Sequence, residues 1–408
     1  NNLLTAKNSS GTTLRSYQYT GETLVASTPI VSRNTSFTVD ADPAANKGFL
    51  NRSVNQLIDS VGLGIKEDPF GRTGIIRNNE AMKRDGIWMS PNLGGNPVGI
   101  SVADFDNDGQ KETAIAMQGQ LVITSISQGK LMEEAKIELA PGIEFISIDS
   151  IDLDLNGTPE IYLSTLRDKQ LSSMVAEFTG SEYTFTRKNI PWFFRATEIP
   201  GAGRCLLGQR INNAEQLFSV APFKVLLENG ELAKGENVSL PAHVNIFSLM
   251  PLSAGTDGQL YAYLSQGDYL NVTSAGGVKM WESADYFGGT QTLLFSDIIH
   301  DEEMVNPVYL QKRILRGPAG EILVIQNEGI RTVQRFRSFK NSRVVALTWN
   351  GFAMQESWRT SSQSGYLADF TLADADNDGT DELVMAIQFQ SENLLQKARS
   401  SVVIYELN

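Results

Sequence analysis

The sequence contains little of three features on which many functional sites depend. Its one cysteine, Cys205, excludes an internal disulfide and argues against a zinc site built on thiolates. Its two histidines, His243 and His300, leave few candidates for catalysis by a histidine base. No apolar run reaches the roughly 18 residues that a membrane-spanning helix requires. The composition therefore disfavours these classes of site before any motif is considered.

Positive charge is also scarce. The 408 residues include 34 Lys and Arg against 47 Asp and Glu, for a formal net charge of −13. Proteins that bind nucleic acid present positive charge to the phosphates, so this balance argues against a nucleic-acid partner. The first residues, from Asn1 to Lys7, do not read as a signal peptide, and we expect a mature or trimmed chain.

What the sequence does contain is an acidic loop of nine residues that occurs three times. Oxygen-bearing side chains occupy positions 1, 3, 5 and 9 of each copy, and glycine occupies position 6. Calcium binds six to eight oxygen atoms, and alternating carboxylates on a tight loop supply several of them. We therefore predict about three Ca²⁺ sites. Their ligands are Asp104, Asp106, Asp108 and Glu112; Asp152, Asp154, Asn156 and Glu160; and Asp374, Asp376, Asp378 and Glu382.

The surroundings of these loops differ from those of an EF-hand. An EF-hand has a helix on each side and a bidentate Glu at position 12, where this chain has Ile115, Leu163 or Met385. The flanking segments are apolar and of strand length, so each loop is predicted to close a β-hairpin. One such loop can equally be a polar turn, but three copies in the same context favour a cation site.

From about residue 85 onward the chain is organised in repeats of about 50 residues with several strands each. Trp88 and Trp358 each precede the first aspartate of an acidic loop by sixteen residues. Repeats of this kind indicate propeller blades. Loops near residues 104, 152, 200, 255, 317 and 374 give six units. We predict an all-β, six-bladed β-propeller, with seven blades as the alternative if residues 1–80 contribute one.

The two ends of the repeat region complement each other. Residues 402–408 match the third strand of a blade, whereas residues 81–90 resemble the missing fourth strand. We predict that these segments pair and close the ring, which removes an unpaired sheet edge. Residues 81–408 then form the propeller and residues 63–80 a linker. Residues 1–62 are predicted as two strands and a helix, either the end of a truncated α/β domain or an appendage.

The acidic loops and their flanking strands resemble the FG-GAP/VCBS repeat family, the calcium-loop propellers that include the integrin α-subunit head. Residues 102–116 and 372–386 carry the likeness, and Asn156 is a departure that the family tolerates. The chain also looks like bacterial envelope proteins in which a propeller follows a TolB- or CsgG-like domain. The resemblance implies structural Ca²⁺ and a location in the periplasm, outer membrane or cell surface.

The resemblance is specific for fold and cation but not for function, because one fold hosts many functions. We expect a non-enzymatic, calcium-binding scaffold of the bacterial envelope or surface with a protein partner. The alternatives are a glycan-binding lectin or adhesin, which needs exposed aromatics, and a polysaccharide-active enzyme, which needs a Tyr, Lys or Arg cluster facing a groove or the channel. The periodic spacing of Trp88, Trp192, Trp281 and Trp358 favours packing between blades instead of sugar stacking.

Residues 312–343 concentrate positive charge on an otherwise acidic chain. In strand geometry Arg331, Arg335 and Arg337 share one face. This stretch is either a patch that binds phosphate, carboxylate or acidic sugars, or ordinary pairing with nearby carboxylates. We favour the second interpretation.

Overall fold

The described part of the protein consists of β-strands and their connections. The structure, a computed structural model, describes residues 2–7, 13–20, 23–26, 75–77, 86–211, 218–252, 258–295, 307–333, 336–389 and 399–407. Among these residues every regular element is a strand, and none forms a helix that is long and apolar enough to cross a membrane. The prediction of an all-β chain is therefore confirmed.

The chain divides into two compact units, Asn1–Leu63 and Gly64–Asn408. The first unit contains the antiparallel sheet formed by β1 (Asn2–Lys7), β2 (Thr13–Thr20) and β3 (Thr23–Ala26). The helix that the sequence predicts between residues 42 and 62 lies outside the described residues.

The second unit is a six-bladed β-propeller over its described residues, which confirms six blades and not the alternative of seven. Its first described strands are β4 (Ile75–Arg77), which belongs to the sheet of blade five, and β5 (Ile87–Met89), which belongs to the sheet of blade six. Each blade is an antiparallel sheet, and the first strands of neighbouring blades contact one another in turn from blade six through blades one to five.

The blades follow one another in chain order. Blade one contains β6 (Pro97–Ala103), β7 (Glu112–Met117), β8 (Gln120–Ser127) and β9 (Lys130–Glu138). Blade two contains β10 (Ile143–Ile151), β11 (Glu160–Arg167), β12 (Gln170–Leu171), β13 (Ser173–Phe178) and β14 (Tyr183–Ile190). Blade three contains β15 (Phe193–Ile199), β16 (Gly203–Gln209), β17 (Phe223–Glu228) and β18 (Glu231–Asn237).

The second half of the ring is less regular. Blade four contains β19 (Met250–Pro251), β20 (Leu260–Leu264), β21 (Tyr269–Ser274) and β22 (Lys279–Tyr286), and a separate two-stranded sheet, β23 (Leu293–Phe295) and β24 (Val308–Tyr309), follows it. Blade five contains β25 (Ile314–Arg316), β26 (Ile322–Val333), β27 (Phe336–Trp349), β28 (Met354–Thr360) and β29 (Gln363–Ser364). Blade six contains β30 (Tyr366–Ala373), β31 (Glu382–Phe389) and β32 (Arg399–Tyr405).

Strands from the start of the propeller complete the last two blades. In blade six the order is β30-β31-β32-β5, and Ile404 lies opposite Trp88. These pairs lie within the segments for which the sequence predicts closure, residues 81–90 and 402–408. In blade five β4 adds a strand outside β28, with Arg77 opposite Trp358. The Trp88 indole N–H donates to the Gly129 carbonyl at 2.8 Å, which ties the closing strand to blade one.

Apolar side chains fill the space between neighbouring blades. Trp192 and Trp358 are each 8% exposed, while Trp88 and Trp281 are partly buried against clusters contributed by two blades. The repeated tryptophans therefore pack within and between blades, as their spacing predicts, and do not form a row of exposed sugar platforms.

Charged side chains occupy the centre of the ring. Arg313 donates to Asp369 at 2.6 Å and to Asp149 at 3.3 Å. Arg195 lies 3.1 Å from the other oxygen of Asp149. All four side chains are buried, so removal of one partner would leave a buried charge unpaired. This network joins blades two, three, five and six across the channel.

Candidate metal centre

Each acidic loop connects the first strand of its blade to the second. Loop one is Asp104–Glu112, loop two is Asp152–Glu160 and loop three is Asp374–Glu382; they follow β6, β10 and β30. Equivalent connections lie at the same end of a propeller, and β6 contacts both β10 and β30. The three loops therefore occupy one face of the ring, on three consecutive blades.

The three loops have the same backbone conformation. Position 4 is left-handed in each, with φ of 61° at Asn107, 61° at Leu155 and 62° at Asn377. Position 6 is glycine with φ of 92° or 93°, in a region that glycine enters without strain. This repeated turn places the side chains of positions 1, 3 and 5 on its inner side.

Backbone N–H groups hold the aspartates in place. In loop one, Gly109 donates to Asp104 at 3.0 Å and Gln110 donates to Asp108 at 2.7 Å. The N–H of Asp108 donates to both Asp104 and Asp106 at 3.1 Å. Loop three repeats the first of these bonds, at 3.2 Å, between Gly379 and Asp374. The loop thus preorganises its carboxylates before any cation binds.

The carboxylates of loops one and three converge. In loop three, oxygen atoms of Asp374, Asp376, Asp378 and Glu382 all lie within 4.8 Å of one another. In loop one, oxygen atoms of Asp104, Asp106 and Asp108 meet the same distance. Carboxylate oxygens at this separation can surround one hard divalent cation.

Loop two has the same turn with a weaker ligand set. Gly157 donates to Asp152 at 2.9 Å, as in the other loops. Asn156 stands at position 5, and its amide nitrogen donates to Asp154 at 3.0 Å. One carboxylate oxygen of Asp154 is therefore engaged by an amide, and loop two carries one negative charge fewer at its ligand positions.

The glutamate at position 9 braces the loop. Glu112 accepts the Phe105 N–H at 2.8 Å, Glu160 accepts the Leu153 N–H at 3.0 Å, and Glu382 accepts the Ala375 N–H at 2.8 Å. All three glutamates are buried. Among the described residues only Glu382 joins its aspartates in a cluster. The sequence predicts position 9 as a ligand, whereas the structure gives it a hydrogen-bonding role as well.

The electrostatics favour a bound cation most clearly in loop three. Burial, followed by the charges of Asp376 and Asp374 among its neighbours, raises the pKa of Glu382 to about 8. Burial and nearby aspartates raise the pKa of Glu112 to about 7. One oxygen each of Asp374 and Glu382 is buried without a hydrogen-bond partner. A cation between these oxygens would satisfy both and would offset the repulsion.

Two carboxylates outside the motif approach the loops. Burial and the three aspartates of loop three raise the pKa of Glu406, which follows β32. Glu134, on β9, contributes to the raised pKa of Asp106 in loop one, after burial and the closer charge of Asp108. Neither residue was identified from the sequence, because each belongs to a different strand from its loop and follows no local pattern.

The basic stretch 312–343 is largely directed inward in its described part. Lys312 and Arg313 are buried at the channel. Arg331 and Arg337 both reach the same oxygen of Asp268, at 3.2 and 2.8 Å. Arg335 lies outside the described residues. Charge pairing accounts for these arginines, which is the interpretation that the sequence favoured.

A pocket of about 310 Å³ opens at the channel mouth on the loop face. Its charged lining residues are Arg195, Arg204, Arg313, Arg316, Glu198 and Asp381. Arg316 donates to Glu198 at 2.8 Å, and the exposed Arg204 donates to the Ser150 carbonyl at 3.1 Å. The pocket therefore presents several guanidinium groups beside two carboxylates.

Comparison with known proteins finds similar solved structures, all of low sequence identity to this chain. No protein-family model matches the sequence, and no curated protein sequence matches it. A proposed oxidoreductase (glucose dehydrogenase) from Thermus thermophilus matches with a TM-score of 0.42 and 13% identity, over 79% of this chain and 100% of that chain. The soluble aldose sugar dehydrogenase from Escherichia coli matches with 0.41 and 11%, over 79% and 100%. BBS1N, in complex with ARL6DN, matches with 0.40 and 12%, over 83% and 99%.

These comparisons correct one prediction made from the sequence. The chain was expected to be a non-enzymatic scaffold, and no catalysis was expected. Two of these similar structures are described as dehydrogenases, which contradicts the exclusion of enzymes, and the interpretation as a non-enzymatic scaffold is withdrawn. The propeller itself is established by the six sheets of this chain.

Proposed function

We propose that this chain is a propeller that binds Ca²⁺ in acidic loops of the FG-GAP/VCBS type. The observation that carries the proposal is the convergence in loop three of four carboxylates, two of which, Asp374 and Glu382, each have a buried oxygen without a partner. Asp376 and Asp378 complete that site. Asp104, Asp106 and Asp108 form the second site, and Asp152, Asp154 and Asn156 the third, with Glu112 and Glu160 as braces.

Calcium fits these loops better than magnesium does. Calcium accepts irregular sets of six to eight oxygens, whereas magnesium demands near-octahedral geometry and keeps several waters. Each loop offers three or four side-chain oxygens on one short segment and has an exposed side where water can complete the shell. Affinity for calcium rises with ligand charge, so we expect loop three to bind most tightly and loop two least tightly.

Isothermal titration calorimetry on chelator-treated protein tests this proposal. The wild type should bind Ca²⁺ more tightly than Mg²⁺, and Asp376→Asn should abolish the tightest site. Asp381→Asn is the matched control, because it removes the same charge from the same loop at position 8. Absence of calcium binding by the wild type, or equal loss in both variants, would contradict the proposal.

An extracytoplasmic location is proposed on the same basis. Millimolar calcium outside the cytoplasm suits loops of modest affinity. Cell fractionation with an antibody to the chain would test the location. A protein partner stays a prediction, and a pull-down with and without chelator would test it.

The channel-mouth pocket favours a second candidate function, the binding or turnover of an acidic carbohydrate. An arginine cluster facing the channel is the feature that a polysaccharide-active enzyme needs on this scaffold, and guanidinium groups match carboxylates in geometry and charge. Arg204 is the most accessible of the four arginines that line the pocket.

A thermal-shift screen with neutral sugars and sugar acids tests this second candidate. A sugar acid should raise the melting temperature of the wild type and have less effect on Arg204→Gln. Arg167→Gln, an exposed position on blade two, is the control. An equal response to neutral and acidic sugars would rule out recognition by the arginines.

A further inference from the structure

Loop three contacts loop one of the next blade through a two-point amide contact. The Lys111 N–H donates to Oδ1 of Asn377 at 2.6 Å, and Nδ2 of Asn377 donates to the Lys111 carbonyl at 3.2 Å. The side-chain amide thus pairs with both backbone polar groups of one residue, as a neighbouring strand would. The contact is partly buried and joins positions 266 residues apart in the sequence.

One end of this contact lies between two proposed ligands of loop three, and the other lies beside the brace of loop one. Asn377 stands at position 4, between Asp376 and Asp378, in the left-handed conformation that the loop requires. Lys111 immediately precedes Glu112, which braces loop one through the Phe105 N–H. An ordered loop three therefore positions the segment on which loop one closes.

The residue at position 4 of each loop correlates with the connection on the next blade of the ring. Asn107 of loop one lies near loop two, with its Oδ1 3.9 Å from the position that a Cβ on Gly157 would take. Loop two has Leu155 instead, which is 86% exposed, and the equivalent connection of the next blade, blade three, lacks acidic residues. Asparagine thus occurs where another acidic loop follows, and leucine where none does.

We infer that loops three and one bind calcium with positive cooperativity, transmitted by the Asn377 side chain to the Lys111 backbone. The inference rests on the proposed calcium binding. A cation in loop three restricts Asn377, so loop one loses less conformational entropy when its own cation binds. Coupling between binding sites is reciprocal, so a cation in loop one favours loop three by the same factor.

The opposing effect is repulsion between two divalent cations on neighbouring blades. It acts through solvent at an exposed surface and weakens with salt, because exposed charges are screened over about 8 Å at physiological ionic strength. Salt likewise weakens the attraction between the Lys111 ammonium and Asp374, which lie 3.7 Å apart. The backbone contact does not depend on salt, so cooperativity should become clearer as salt is raised.

A thermodynamic cycle measured by calorimetry tests the inference in full-length protein. Asp154→Asn silences loop two and leaves two sites. In that background, Asp376→Asn should weaken calcium binding at loop one by roughly fivefold or more, the lower end of typical coupling. Asp106→Asn should weaken loop three by the same factor.

The Asn377→Gly variant isolates the transmitting side chain. Glycine keeps the positive φ and removes the amide, so both loops should still bind while Asp376→Asn no longer affects loop one. Leu155→Gly makes the same change at the same position of loop two and should leave the coupling intact.

The outcomes separate the two claims. Two results would overturn the cooperativity alone, provided that the wild type binds calcium. One is an unchanged calcium affinity of loop one in Asp376→Asn, and the other is coupling that survives in Asn377→Gly. Absence of calcium binding in the wild type would overturn the proposed function and this inference together.

Discussion

The connection from the first strand to the second differs between blades six, one and two on one side and blades three and five on the other. In each blade a connection must turn the chain from the first strand to the second on the same face. Blades six, one and two use nine-residue acidic loops. Blade five uses a short turn in which Gly317 donates to the Glu321 carbonyl at 2.7 Å, and blade three uses the turn after Ile199, where Ala202 donates back to Ile199 at 3.0 Å.

Blade five retains one part of the acidic loop. Glu321 precedes β26 as Glu112 begins β7, and it is buried like its counterpart. It accepts the Trp358 indole N–H at 3.1 Å, and its second oxygen has no partner. No aspartates stand beside it in that turn. The brace at position 9 is therefore separable from the cation ligands, and the blade keeps the brace without them.

Calcium removal should produce the largest difference in stability between the two halves of the ring, blades six, one and two with acidic loops and blades three to five. A ligand at a hundredfold excess over its Kd stabilises the native state by about 2.7 kcal/mol for each site. Chelator should lower the free energy of unfolding and expose amides of blades six, one and two to hydrogen exchange before those of blades three to five. Equal loss of protection around the whole ring would contradict a local role for the loops.

The charged network in the channel should stabilise the contact between blade five and the blades that carry acidic loops. Arg313 of blade five pairs with Asp149 of blade two and Asp369 of blade six. Arg313→Ala leaves both carboxylates buried without this partner and should cost about 3–5 kcal/mol of stability. Urea unfolding monitored by tryptophan fluorescence measures this. The exposed Arg167→Ala should change stability little, and an equal effect there would discount the network.

The brace glutamates should affect stability in both halves but calcium binding in only one. Glu382→Ala and Glu321→Ala each leave a buried N–H without its acceptor, which costs about 1–3 kcal/mol. Unfolding in the presence of chelator should detect both losses. Calorimetry should detect weaker calcium binding in Glu382→Ala alone, and a similar calcium defect in Glu321→Ala would contradict the separation.

Adding a carboxylate to loop two should have the smallest effect of these changes, an increase in the calcium affinity of that loop. Asn156→Asp gives loop two as many carboxylates at its ligand positions as loop one has. It also removes the hydrogen bond that the Asn156 amide donates to Asp154. Calcium affinity at this loop should rise roughly fivefold to tenfold, because ligand charge tunes such sites. Calorimetry in an Asp376→Asn background would resolve the change, and unchanged affinity would show that charge does not limit loop two.

Local patterns were sufficient to predict the strands, the blade count and the turn of the acidic loops. Each depends on residues close in sequence, such as glycine at position 6 or the sixteen-residue spacing from Trp88 to Asp104. The channel network was not predictable, because Arg313 and Asp149 are 164 residues apart and either could have been a surface charge. Glu406 and the Asn377–Lys111 contact were missed for the same reason. The prediction of no catalysis was wrong because a fold does not determine chemistry.

Blade six is assembled from the two ends of the propeller, and this determines when the ring can be completed during synthesis. The Val402 N–H donates to the Ser90 hydroxyl across 312 residues. Translation delivers the N-terminal partner first, so the strand around Trp88 lacks its partner until residues 399–405 have been synthesised. Loop three lies in this blade, which is the last to gain all of its strands. A cation bound in loop three would therefore act on the ring only after the strands of blades one to five have been synthesised.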